Sequence, residues 1–399
     1  MGNYFFLQVF TVIFALSIAT TIFNKRILGF PQAIGVPIVS AIFVFILQWG
    51  ASLLSGNQFI TINIHNIEEA VRHIDFYDFL INGVICFILT SSALKFKVSD
   101  LRSYWKPISI LASIALVLCA VFFGVVLYGY QFIIGQHVDL LVLLLLGAAL
   151  GATDPIGIKG VLSSVRAPHH LMVKLEGESL FNDAMCIALF MTLLNVLQGE
   201  NFTVIGVLQT LLYEIFVAVI IGWAFGLGIL RLLRGKHEME SLILTTALLA
   251  CGSYLVALFA HASAPIACVI GGLIVGNKWK EILQEREIRE VNHFWHTVEG
   301  IINSFLFTLI GLELFILDLS FSLIFGGIVA FIILHASRFA ANYLSFAFFP
   351  SFRKKSYNGS LAILSWGGVR GGISLALILA VANVPELSEY SSILIGYTF

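Results

Sequence analysis

Residues 139–165 read DLLVLLLLGAALGATDPIGIKGVLSSV, an apolar stretch long enough to cross a lipid bilayer but interrupted halfway by Thr153, Asp154 and Pro155. Pro155 has no amide donor and blocks the turn before it, while Thr153 and Asp154 favour the cap position at a helix start. Gly147, Gly151 and Gly157 weaken the helix on both sides of the interruption. The stretch therefore predicts two half-helices, the second starting near Pro155. Broken backbone at bilayer depth survives only where protein or a wet cavity surrounds it, and its free amides, carbonyls and helix ends act there as fixed partial charges for an ion. The competing reading is a simple proline kink, with Asp154 serving as a cap near the membrane interface.

The rest of the chain supports a membrane setting. Its 399 residues are 59% hydrophobic and 11% charged, with a mean hydropathy of +0.97, too apolar for a soluble domain with a polar surface. The balance of 22 basic against 23 acidic residues excludes a basic nucleic-acid-binding surface. Cys86, Cys119, Cys186, Cys251 and Cys268 lie in apolar runs without metal-binding or redox spacing, and read as small hydrophobes. No cleavable signal is evident, because Lys25 and Arg26 follow the first apolar run rather than precede it.

A membrane span needs about 20 apolar residues to cross roughly 30 Å of hydrocarbon. Thirteen runs are candidates, at roughly 4–23, 31–54, 76–94, 107–131, 138–164, 170–198, 203–232, 240–260, 263–277, 294–317, 320–349, 357–382 and 388–399. The last is expected to be a helix truncated at Phe399. With the amino terminus outside and the carboxy terminus cytoplasmic, the inner connections carry 19 of the 22 Lys and Arg, Lys174 among them. The outer connections carry only Arg72, while Arg338 and Arg370 fall inside spans. That asymmetry is the expected sign of orientation. The charged segment 278–293 reads as a short surface helix or, equally, as a solvated linker.

The sixth run, HHLMVKLEGESLFNDAMCIALFMTLLNVL (169–197), carries the acidic groups. At about 100° per residue, Ser179, Asn182 and Asp183 share one face, with Glu178 about 40° beyond Asn182. A charge at helix centre costs roughly 2.5–3.5 kcal/mol on insertion scales, so Glu178 and Asp183 must meet partners or water. Asp183, Asp154, Thr153 and Ser179 offer hard oxygen ligands for an alkali cation. A confined carboxylate holds either a proton or a cation, and that competition is exchange. The natural intramembrane partner of Glu178 is Arg338, and such a pair fixes helix geometry. Asn182 either hydrogen-bonds the broken span or simply packs. Glu176 reads as solvated or interfacial.

The twelfth run, SLAILSWGGVRGGISLALILAV (360–381), contains a second weak point at Gly367, Gly368, Arg370, Gly371 and Gly372. Two interrupted spans of opposite direction are the pattern of an inverted repeat, and Arg370 would balance negative charge or line a vestibule. The alternative is close helix packing through the glycines. Asn303, Thr308 and Glu313 are lesser candidates for lining the pathway.

Taken together, GATDPIGI (151–158), GESLFNDA (177–184), the arginine of ASRFAA (336–341), WGGVRGGISLAL (366–377) and FWHTVEGIINSFLFTLIGLEL (294–314) resemble the NhaP/NHE-type monovalent cation:proton antiporters. The resemblance implies an all-α polytopic, NhaA-like fold of about thirteen helices, with inverted repeats and two broken helices crossing at the ion site. It implies one transmembrane unit, with core helices in about 107–198 and 320–399 and a dimerisation scaffold in about 1–94 and 203–317 of a homodimer. Na+, and also Li+, would bind at Asp183, Ser179 and Thr153, helped by Asp154 and Asn182, while Glu178 and Arg338 form the structural ion pair. Pro155, Gly368, Arg370 and Gly371 would belong to the broken helices and vestibule. An asparagine before Asp183 implies electroneutral one-for-one exchange, serving pH homeostasis in a bacterial inner membrane. No cofactor is expected beyond the transported ions.

Three rival readings rest on the same residues. K+/H+ antiport would use the same oxygens. A channel would too, but paired breaks around a titratable centre favour alternating access. An intramembrane aspartyl protease needs YD and GxGD motifs, and here the aspartates sit in ATDP and FNDA. No HExxH, GxSxG or Walker motif points to another enzyme.

Overall fold

The structure, a computed structural model, describes residues 5–30, 32–53, 81, 83–153, 168–199, 203–235, 238–313, 320–348, 358–366, 372–382 and 384–398. Every regular element among them is helical, as a lipid environment demands of single apolar runs that must close their own backbone hydrogen bonds. In chain order the helices are α1 (Phe5–Phe23), α2 (Gln32–Leu53), α3 (Ile85–Lys95), α4 (Val98–Ile110), α5 (Leu116–Ile133), α6 (Leu140–Ala149), α7 (His169–Leu197) and α8 (Val204–Leu232). There follow α9 (Met239–Phe259), α10 (Ala264–Lys278), α11 (Glu285–Glu313), α12 (Phe321–Phe348), α13 (Asn358–Trp366), α14 (Gly372–Ala382) and α15 (Ser391–Thr398).

Six stretches of the described helices are long and apolar enough to cross a membrane unaided: Thr11–Leu28, Val98–Ile133, His169–Leu197, Ile205–Leu232, Met239–Phe259 and Phe321–Ala347. The second runs from α4 into α5 through a wide turn at Leu111–Ala115. Other expected runs correspond to shorter helices, such as the 10 residues of α6 and the 15 of α10. The twelfth run is described as α13 and α14, and Gly367, Gly368, Arg370 and Gly371 between them lie outside the described residues.

Two expectations change. Segment 278–293 does not form a separate surface helix: after a short turn at Trp279–Glu281, α11 begins at Glu285 and continues unbroken through 29 residues into the tenth apolar run. Its charged first turns are held by pairs one turn apart, Arg286 with Glu290 at 2.9 Å and Arg289 with Glu285 at 3.3 Å. Lys174, counted above with the inner connections, is buried in the second turn of α7, with Nζ 5.6 Å from the centre of the Tyr104 ring. The ring quadrupole attracts the ammonium electrostatically.

Helices α4 to α7 and α12 to α15 pack around one another, with α7 against α4, α6, α13 and α14, and α12 against α5, α13 and α15. Helices α3 and α8 to α11 form a second set centred on α10, while α1 and α2 lie on α11. The sets meet where α7 touches α3, α8 and α10, and where α11 touches α14. Close approach within the second set depends on small residues, which membrane helices use in place of a hydrophobic driving force. A β-carbon at Gly276 would fall 2.1 Å from the Leu94 carbonyl oxygen of α3, and one at Gly222 would fall 2.4 Å from the Ala267 carbonyl oxygen. Phe132, Ile133, Phe216, Phe259 and Phe321 point outward, a surface suited to lipid rather than water.

Replacing Gly276 with leucine should force α3 and α10 apart and cost at least about 1–3 kcal/mol, the usual penalty of overpacking. Thermal unfolding of the detergent-purified variant checks this: a clear drop in midpoint is expected, and an unchanged midpoint would refute the close contact.

Candidate functional site

Helix α6 begins with Asp139 as its cap, the side chain accepting from the Leu141 amide at 2.8 Å, and it stops after Ala149. Leu150 and Gly151 form a turn, and Ala152 and Thr153 are not helical. Unwinding leaves carbonyl oxygens without their usual amide partners. Side chains from α7 and α14 fill that need. Cys186 Sγ donates to Ala148 O at 2.8 Å, Asn182 Nδ2 to Gly151 O at 2.8 Å, and Ser374 Oγ to Ala152 O at 3.4 Å. Ser179 Oγ donates to the Thr153 carbonyl, and Asn182 Nδ2 also reaches Thr153 Oγ1 at 3.2 Å.

Ser179, Asn182 and Cys186 therefore act as one ladder, spaced by three and four residues along α7 so that successive members face the same unwound segment. Sequence reasoning assigned Ser179 and Asn182 to this face but treated Cys186 as a plain hydrophobe. Its spacing from Asn182 was the available signal. Ser374 makes the corresponding link from α14, so the segment that follows α6 and the start of α14 approach each other here.

Asp183 follows Asn182 by about 100° around α7, beside Ser179 at about 40°. Thr153, Ser179 and Asn182 are buried, at 4%, 2% and 2% exposure, whereas Asp183 is only partly buried. Asp183 thus borders the pinned ladder and is less buried than its members. Asp154 and Pro155, expected at the same break, lie outside the described residues, as does Arg370.

Glu178 points about 140° away from Asp183 around the helix. Arg338 Nη2 of α12 lies 2.6 Å from Glu178 Oε1, with both side chains almost fully buried, and also donates to Leu364 O of α13 at 3.3 Å. One turn along α12, Asn342 Nδ2 donates to Ser365 Oγ at 3.1 Å. The ion pair therefore ties α7, α12 and α13 on the side of the ladder away from Asp183. Thr308, a candidate for lining the pathway, instead joins helices: its hydroxyl meets Ser304 O at 2.8 Å and Thr20 Oγ1 of α1 at 3.2 Å. The side chain of Glu313 lies outside the described residues.

A family model described as "Sodium/hydrogen exchanger, transmembrane" matches residues 11–399. The chain belongs to that family. It is 34% identical over 380 residues to the Na(+)/H(+) antiporter NhaP of Pseudomonas aeruginosa, covering 93% of this chain and 88% of that protein. It is 30% identical over 329 residues to the Na(+)/H(+) antiporter NhaH of Halobacillus dabanensis, covering 79% of this chain and 78% of the relative. The fold also matches the solved sodium proton antiporter MjNhaP1 from Methanocaldococcus jannaschii, with a TM-score of 0.74 at 16% identity, over 99% of this chain and 93% of that one. As a member of the sodium/hydrogen exchanger family, the chain is an integral membrane transporter and not an enzyme.

Removing one member of the buried pair should damage this exchanger-family fold. Arg338→Ala leaves Glu178 charged among apolar neighbours and should cost about 3–5 kcal/mol. Adding Glu178→Gln should recover part of the loss, because it removes the stranded charge. Folded yield and melting midpoint of the single and double variants check the pair, and absence of any recovery would contradict it.

Proposed function

We propose that the chain exchanges Na+, and also Li+, for H+ across the membrane, with cation and proton competing for Asp183. The observation that carries this reading is the contrast along α7: Asp183 is partly exposed while Ser179 and Asn182, about 40° and 100° from it around the helix, are buried and fastened to the unwound Gly151–Thr153 segment. A carboxylate at the open edge of a rigid oxygen-rich lining can gain or lose a cargo ion without the lining having to rearrange. Thr153 and Ser179 are assigned as further Na+ ligands, and Asp154 as an additional carboxylate near the cation.

The donors fit a hard monovalent cation. Asn182 supplies its Nδ2 protons to Gly151 O and Thr153 Oγ1, so the Thr153 hydroxyl oxygen is held in place with a lone pair to spare. Because Asn182 is neutral, the lining is reinforced without a second titrating charge next to Asp183. Exchange of one cation for one proton then moves no net charge. Glu178 takes no part, since its charge is matched by Arg338.

In the same reading the protein is a homodimer, with the amino terminus outside and the carboxy terminus cytoplasmic in a bacterial inner membrane. The first set of helices moves as the ion-carrying core against the second set. The close-packed glycine contacts around α10 support a rigid scaffold, and the contacts of α7 with α3, α8 and α10 are the surface along which that motion would occur.

Reconstituted wild-type protein should show Na+-dependent proton flux that does not change when a membrane potential is imposed. Asp183→Asn should abolish that flux while leaving the melting midpoint near its wild-type value. Persisting exchange in the variant would remove Asp183 from the site, and a voltage-dependent wild-type rate would contradict one-for-one exchange.

A further inference from the structure

The last turn of α8 and the end of α10 enclose a cavity of about 580 Å3 that has no part in the ion site. Its lining combines Leu227 and Leu230 with three cations, Arg231, Arg234 and Lys278, and a single carboxylate, Glu281. Among the described residues none of the three cations forms a salt bridge. Three positive side chains converging on one hollow repel each other and favour an anion between them.

The apolar surface leading to the cavity narrows the choice of anion. Phe216, Ile220 and Trp223 are exposed and follow one another by four and three residues, and Leu227 continues the row by four more. These positions fall within about 60° of one another around the helix, and the same spacing leads to Arg231. The outward face of α8 is thus an apolar stripe that ends in a cationic hollow. An inorganic anion would use the hollow and ignore the stripe. An amphiphile with a phosphate head would use both.

We propose that this cavity binds the phosphate of an anionic lipid headgroup, with an acyl chain lying along the Phe216–Trp223 stripe. Arginine guanidinium groups donate in a planar fork that matches phosphate oxygens, and lysine adds a point charge. Basic pockets between helices at the membrane surface suit such headgroups. The site rests only on α8 crossing a bilayer, and it stands or falls independently of the assignment of Asp183.

Native mass spectrometry of the full chain in detergent tests this with phosphatidylglycerol, zwitterionic phosphatidylcholine and soluble glycerol phosphate. Phosphatidylglycerol should bind the wild type in clear preference to phosphatidylcholine and should resist displacement by equal glycerol phosphate. The triple variant R231A/R234A/K278A should lose phosphatidylglycerol affinity by about a hundred-fold. Glu281→Gln, which keeps all three cations and removes the opposing charge, should bind more tightly and guards against misfolding of the triple variant. Equal binding of the two lipids, undiminished binding by the triple variant, ready displacement by glycerol phosphate, or no gain in Glu281→Gln would each overturn the lipid site.

Discussion

A helix that stops among buried residues leaves carbonyl groups that must find other donors, and here those of Gly151, Ala152 and Thr153 are met by side chains, while Ala148 O takes both the Gly151 amide and the Cys186 thiol. Each unmet group would cost several kcal/mol at that depth. The requirement dictates the polar face of α7, where Ser179, Asn182 and Cys186 recur at helical spacing opposite the unwound segment. It also explains why α14 brings Ser374 to the same place. The interruption is stable because two other helices are shaped to complete it, and any group set beside that ladder inherits a fixed, polar surrounding.

Charge along α7 is divided by angle. Glu178 faces α12 and α13 and is neutralised by Arg338, while Asp183 lies about 140° away beside the ladder. Two carboxylates five residues apart would interfere if both were free to change charge. Pairing Glu178 with Arg338 fixes its charge, and the proposed exchange assigns the ion-responsive role to Asp183. The arginine does a second task by reaching Leu364 O, so that the ion pair joins α7, α12 and α13.

Much of this was readable from residue order. Long apolar runs located α1, α2, α7 to α10 and α12 to within one or two residues at each end, since the cost of exposing apolar surface in water and polar backbone in lipid leaves few alternatives. The pairing of Glu178 with Arg338 followed from the expense of a lone buried charge. What escaped had physical reasons. Residues 285–293 looked like a surface helix because charge alternation marks exposure but not where a helix ends, and nothing in Glu285–Val298 breaks the turn. Lys174 was counted with the inner connections because sequence gives no hint that the Tyr104 ring would cover it. Cys186 looked apolar because a thiol is a weak donor, and residue order does not show that it would meet the Ala148 carbonyl at the end of α6. Thr308 looked like a channel-lining hydroxyl, but Thr20, 288 residues away in sequence, was its partner.

The account turns on whether a cation and a proton exclude each other at Asp183, and proton release on cation binding measures that without any transport step. Purified protein in a weakly buffered solution should release about one proton per chain when Na+ is added, because a coordinating carboxylate must give up its proton. Asp183→Asn should release none. Sodium loading of the wild type without proton release, or release by the variant equal to that of the wild type, would contradict the account.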